Sequence, residues 1–366
     1  MGITTDSSSK SVSPGSAVSP LLRRYFGTPG RGLLSVLLAT VWAWAAWALL
    51  RWAILDATWI AEDRSGCAPG GACWAFVVAR IDQFLFGFYP PDEHWRPALI
   101  LVLPVVLFAV AVSDRFQSQR QMIGAAIVLV PIASLALLVG GVPGMPHVPA
   151  DKWGGLALTI VIAETSFVAS MPFAVFLALA RRSQMPVISM LATGFIELWR
   201  GLPLVAILFM AVILLPLVLP PGFQIGRVEM AITALTIYSA AYLAEVVRGG
   251  LQAVPVGQLR AASALGFGYW RTLAYITLPQ ALGKVLPGIV NSAIALVKDT
   301  SYVMIVGLFD FINIVTAALS DPKWLGSPTE AYLFVAAVYW LVCFGLSRWG
   351  RSIEIRSARA RGVVRS

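Results

Sequence analysis

A chain of 366 residues is long enough for two or three soluble domains, but its composition excludes them. Hydrophobic residues make up 58% of it and charged residues 12%, against roughly 45–50% and about 25% in soluble domains. At a mean hydropathy of +0.79 there is too little polar surface to coat a globule in water, and an all-α integral membrane protein is predicted. The net charge of +9 sits in short clusters between apolar runs, the pattern of membrane topology rather than of nucleic-acid binding. Three cysteines exclude a disulfide scaffold or a zinc cluster. His94 and His147 fall in different predicted loops, so no metal site is expected.

Crossing a bilayer takes about 20 mostly apolar residues, and about eight segments qualify: 32–50, 97–112, 122–142, 154–180, 201–220, 230–247, 285–309 and 331–347. Pro104 interrupts the second. Residues 1–31, rich in Ser, Gly and Pro, read as a disordered cytoplasmic tail ahead of a retained first helix, and 349–366 as a basic cytoplasmic tail. With the N-terminus inside, nineteen Lys and Arg residues fall on the inner side and seven on the outer, and Lys298 lies within a span. The bias places both termini in the cytoplasm.

Two segments do not fit simple spans. Residues 56–96 carry Trp74, Phe76, Phe84, Phe86, Phe88 and Tyr89, which suits a helix lying at the outer interface. The same stretch holds Cys67 and Cys73, six apart in a Pro/Gly-rich loop. In an oxidising exterior that spacing permits a disulfide; two free thiols are the alternative. Residues 183–200, with Met185, Ile188, Leu191, Phe195 and Leu198 among polar positions, read as an amphipathic elbow on the inner face.

Between the sixth and seventh spans, residues 248–284 form an inner loop longer than a bundle connection needs. Its residues are Arg260-Ala261-Ala262, then Gly266, then Ile276 and Leu278-Pro279. A short helix stopped by Gly266, followed by a second from about Trp270 that ends before Pro279, makes a compact knob. The stretch resembles the coupling loop, or EAA motif, of ABC importer membrane subunits: Glu-Ala-Ala, three residues, Gly, nine residues, Ile, one residue, Leu-Pro. Ala261, Ala262, Gly266, Ile276, Leu278 and Pro279 match; Arg260 stands where the family usually has Glu.

Flanking segments narrow the resemblance. Glu197-Leu198-Trp199-Arg200-Gly201-Leu202-Pro203-Leu204, the run from Tyr242 to Gly250, Lys298-Asp299-Thr300-Ser301 and Gly307-Leu308-Phe309-Asp310 resemble polar amino-acid permeases, and most closely the larger permease subunit of general L-amino-acid importers. The resemblance implies a type I ABC importer core at 153–348 and an N-terminal extension of three spans at 32–152. It implies a multi-pass place in a bacterial inner membrane and partners: two ABC ATPase subunits, a second permease subunit, an outer substrate-binding protein and an amino-acid substrate. The chain has no G-x-x-x-x-G-K-[ST] phosphate cradle, so ATP and magnesium are expected on the ATPase subunits, reached through the loop at 255–280, and no cofactor on this chain.

Charges inside spans are expensive and usually face a bundle interior. Asp299 has the sign to meet a substrate ammonium, and Lys298 or the hydroxyls of Thr300 and Ser301 the chemistry to meet a carboxylate; the alternative is structural pairing with a group such as Glu164, itself a candidate for the substrate path. Glu197 with Arg200, and Glu245 with Arg248, are three apart, which makes each a helical ion pair or part of a gate. An ion-coupled secondary transporter is the competing function, but it predicts repeated, interrupted helices in two halves. No such symmetry is visible. An intramembrane enzyme lacks a cysteine nucleophile, a histidine pair or a carboxylate cluster to support it.

Overall fold

The computed structural model describes residues 25–26, 28–112, 120–220, 222 and 225–360. The expected N-terminal tail lies largely outside them, as do the last six residues of the C-terminal one. Helices dominate, and among the described residues the only extended pairings are short β-bridges. The chain divides into two compact units, one of residues 1–61 with 65–74 and the other of 62–64 with 75–366.

In the first unit, α1 (Pro29–Leu50) starts where the Thr28 hydroxyl accepts from the Arg31 amide, with Pro29 at the first helical position. It runs into a π-turn at Arg51–Leu55. No residue of α1 is buried, as expected of an apolar helix whose solvent is lipid. After it the chain folds on itself: Cys67 is joined to Cys73, with Cα atoms 5.6 Å apart. The Trp74 indole donates to the Ala53 carbonyl at 2.7 Å and stacks on Trp59.

The second unit opens with two short helices, α2 (Ala75–Ala79) and α3 (Ile81–Phe86), then α4 (Trp95–Val112) and α5 (Arg120–Val139). The core follows: α6 (Gly155–Arg181), the elbow α7 (Pro186–Gly201), α8 (Leu204–Ile213), the single turn α9 (Leu215–Val218) and α10 (Arg227–Gln252). A loop region holds α11 (Val256–Ala264), α12 (Tyr269–Thr272) and α13 (Leu278–Lys284). Then come α14 (Leu286–Asp299), a 3₁₀ segment at Thr300–Val306, α15 (Phe311–Ala318) and the long α16 (Pro328–Ala360).

Six of the described helices are long and apolar enough to span a membrane, and seven if α7 and α8, bent by 104°, make one span; the apolar part of α5, Gly124–Val139, is shorter. Each of the eight predicted segments thus has a helix. The central packing is α6 against α10. Buried Ala231, Ala234, Ser239, Ala240, Ala241 and Ala244 line α10, and small side chains of this kind let two helix backbones approach closely in lipid. The two run side by side in the same direction, with the Ser166 hydroxyl on the Ile232 carbonyl.

Three expectations are corrected. Pro104 does not interrupt its span: α4 continues through it. No single helix lies along 56–96, because Arg80 and Gly87, the latter at φ +70°, end α2 and α3 after one turn or so. Phe76 and Phe84 are fully buried and pack on each other, on Trp324 and on Phe334, so these rings belong to the protein interior. Arg96, counted as an outer loop charge, is a fully buried residue of α4.

Candidate functional site

The loop between α10 and α14 is built as a knob. In α11, Arg260 and Ala261 are exposed while Ala262 is buried. The helix ends in a Schellman motif: the Gly266 amide donates to the Ser263 carbonyl and the Phe267 amide to the Ala262 carbonyl, both at 3.0 Å. Gly266 sits at φ +78°, a left-handed conformation that side chains resist. The second half corrects the sequence reading. It does not end before Pro279 but runs from α12 through a π-turn at Leu273–Thr277 into α13. The Leu278 amide reaches back five residues to the Leu273 carbonyl. The wider turn absorbs Pro279, which has no amide and sits in the first turn of α13. Ile276 and Leu278 are half-buried, Pro279 is exposed, and Gln280 bonds Gln258 across the two halves at 3.3 Å. Leu265, Tyr269, Trp270 and Tyr275 stand out from the knob.

At the same end of the bundle the two predicted ion pairs join into one network. Arg248 bonds Glu245 at 2.7 Å, and Arg200 lies 3.9 Å from Glu197. Arg181, the last residue of α6, reaches both carboxylates, Glu197 at 3.0 Å and Glu245 more closely. The Arg200 guanidinium also covers the Tyr242 ring, 5.6 Å from its centre. Arg181 was visible in the sequence only as one of many inner-side charges, so nothing marked it as the link.

The Lys298–Ser301 cluster divides by face. Lys298 is exposed and lies within electrostatic reach of Cys343 on α16, whereas Asp299 is half-buried and lies within electrostatic reach of Tyr238 of α10. Neighbours on a helix diverge in this way. Thr300 is fully buried with its hydroxyl on the Val297 carbonyl at 2.8 Å, which removes it as an open ligand for substrate. Ser301 is half-buried, and its carbonyl accepts from Asn313 at 3.1 Å. Among the described residues Lys298 forms no ion pair with Glu164. Glu164 sits half-buried in α6 and faces the buried Ser134 of α5, short of full hydrogen-bond geometry.

Beyond the 3₁₀ segment, Asp310 anchors the chain. Fully buried, it accepts from the Asn313 amide at 3.2 Å, from the Asn313 side chain, and from the Tyr339 hydroxyl at 3.3 Å. Burial pushes its carboxyl up to about 6, against these donors, which pull it down. The Phe311 amide donates to Thr159 of α6 at 2.9 Å, and β-bridges pair Gly154 with Phe309 and Gly155 with Asp310. Asn313 and Tyr339 thus fix the segment that follows Asp299; both are isolated polar residues in apolar runs, and only their contacts reveal the role.

The chain is similar in sequence to known transport proteins. The family described as binding-protein-dependent transport system inner membrane component matches residues 170–358. The inner membrane amino-acid ABC transporter permease protein YhdY of Escherichia coli (strain K12) is 43% identical over 86% of each chain. The glutamate/glutamine/aspartate/asparagine transport system permease protein BztC of Rhodobacter capsulatus is 35% identical over 95% of each. A solved amino acid ABC transporter, crystallised with histidines, aligns with 55% of this chain and 92% of its own at 29% identity and a TM-score of 0.49. A matched stretch that holds the knob, the ionic network and the Asp299 turn, together with relatives similar over most of their length, gives the assignment: the chain belongs to the binding-protein-dependent transport system inner membrane components.

Proposed function

We propose that this protein is the permease subunit of an ATP-driven importer that moves amino acids into the cytoplasm. The observation that carries the reading is the knob at 256–284, with its glycine-stopped helix, its proline absorbed in a π-turn and its exposed aromatic face. Similarity to two amino-acid permeases over most of the chain supports the substrate class. In this reading the knob docks on ABC ATPase subunits, which bind ATP and magnesium. A second, smaller permease subunit forms a heterodimer with this one, and an outer binding protein delivers substrate. Both termini lie in the cytoplasm of a bacterial cell.

Closure of the ATPases would press on the knob and rock α10 and α14, opening the path outward; hydrolysis resets it. Asp299 meets the substrate ammonium, with Lys298 or Ser301 toward the carboxylate, and Glu164 lines the path. The three spans at 32–152 extend the core at 153–348, and 349–366 forms an inner tail. The test is uptake of a panel of labelled amino acids by the reconstituted complex, with and without ATP and with ion gradients collapsed. ATP-dependent uptake that survives the collapse is expected; uptake by this chain alone, driven by an ion gradient, would replace the importer with a secondary transporter.

A further inference from the structure

At the end of the bundle opposite the knob, where α6 and α10 begin, lies a cavity of about 460 Å³, a size within the range of small-molecule sites. Its wall includes Asp151, Trp153, Arg227, Gly307, Leu308 and Phe309. The backbone that frames the cavity is tied by its own bonds. A β-bridge pairs Gly154 with Phe309, the Trp153 indole is held on the Val148 carbonyl at 3.0 Å, and the Gly307 amide on the Met304 carbonyl at 2.8 Å. Gly307 lies at φ +80°, and a side chain there would begin 3.0 Å from the Arg227 guanidinium. The glycine leaves that cation room over the backbone.

The charges in this cavity are of opposite sign and are not spent on each other. Asp151 and Arg227, both exposed to solvent, share one half-open cavity; they form no ion pair within 4.0 Å, and neither side chain bonds any other described residue. An α-amino acid carries an ammonium and a carboxylate on one carbon, and it needs an anion and a cation set apart across a gap. Trp153, Leu308 and Phe309 supply apolar surface beside them. We propose that this cavity is an outer capture site for the zwitterionic head of a free α-amino acid, with Arg227 on the carboxylate and Asp151 on the ammonium. It rests on the importer reading and adds a site distinct from the turn at Asp299, to which it is joined through the 3₁₀ segment 300–306. Because it reads only the two groups shared by all α-amino acids, it selects the class and leaves the choice of side chain to other parts of the machine.

The experiment uses the assembled complex in lipid nanodiscs without binding protein, titrated with each common L-amino acid in turn. Matching amides lack the carboxylate, and matching N-acetyl compounds lack the ammonium. Binding of several amino acids differing in side chain, abolished when either group is blocked, is expected. Arg227→Gln and Asp151→Asn should each weaken it about tenfold or more, the effect of removing one charge-assisted hydrogen bond. Absence of binding by every amino acid, or unchanged affinity in both variants, overturns the site. So does a third outcome: weaker uptake in the presence of binding protein with direct amino-acid binding unaltered, since the charges would then serve the docked protein. ATP-dependent uptake by the wild-type complex, measured in parallel, separates failure of the cavity from failure of the importer reading.

Discussion

The Arg96 guanidinium donates from Nε to the Leu137 carbonyl at 2.6 Å, from Nη1 to Pro146 at 2.9 Å and from Nη2 to Leu138 at 3.2 Å. Leu137 and Leu138 belong to the last turn of α5, where carbonyls lack partners within the helix and a cation is favoured by the helix dipole. The Tyr89 hydroxyl donates to Leu138 as well, at 3.0 Å, its ring lies beneath the guanidinium, and Glu93 stands 3.7 Å from Nη1. A charge counted in the sequence as part of a loop is therefore a staple between α4 and α5. Composition and spacing report residue type, not depth, so nothing in the sequence distinguished it from Arg80 or Arg51. Arg96→Leu is expected to strand those carbonyls in the interior and destabilise the chain by about 3 kcal/mol or more. Arg96→Lys, which has no planar fork, should recover only part of that. Thermal unfolding of the detergent-purified protein measures both, and a melting temperature within a degree or so of wild type for Arg96→Leu would show that the bonds contribute nothing.

On the scale of elements, the knob was half legible. Gly266 after an alanine-rich helix announces a stop, and the backbone obeys at φ +78°. Pro279 announces another stop and the backbone declines it, because one π-turn relocates the hydrogen bonds that a proline breaks. The elbow was legible from Met185, Ile188, Leu191, Phe195 and Leu198, apolar residues three or four apart among polar ones, though the 104° bend into α8 needed the Leu202-Pro203 sequence to be seen in place. A side chain at Gly266 would meet no atom within 4 Å, so replacing it costs backbone strain alone, about 1–2 kcal/mol for most residues and less for asparagine. Gly266→Val should therefore disturb the turn and the aromatic surface beyond it, reducing ATPase retention and uptake per ATP by several-fold, while membrane insertion survives. Gly266→Asn should behave close to wild type. Co-purification of the ATPase with each variant checks this, and equal retention by the valine and asparagine variants would remove the turn from the coupling role.

Across the whole molecule, Arg181 connects parts that the chain order keeps far apart. Glu197 and Arg200 lie on the elbow α7, Glu245 and Arg248 near the end of α10 that leads to the knob, and Arg181 closes α6. Either i,i+3 pair alone is a half-exposed ion pair contributing about 0.3–0.5 kcal/mol. Joined through one guanidinium they form a unit. A displacement of α10 by the knob has to carry the elbow with it or break the bonds that Arg181 makes. The sequence offered the two pairs but not the junction, because the link from Arg181 to Glu245 spans 64 positions and depends on α6 and α10 running in parallel. If the network transmits motion, Arg181→Gln should leave the complex assembled and hydrolysing ATP while transport per ATP falls several-fold. Glu245→Gln should do the same. Combining the two should add little, since each substitution breaks the same ion pair. The coupling expected from that double-mutant cycle is about 1 kcal/mol, reduced from a buried charge-assisted bond by partial exposure of both side chains. Single effects that sum to the double effect within about 0.3–0.5 kcal/mol would mean that the two residues act independently, and the helices would then have to be coupled by the α6–α10 packing instead.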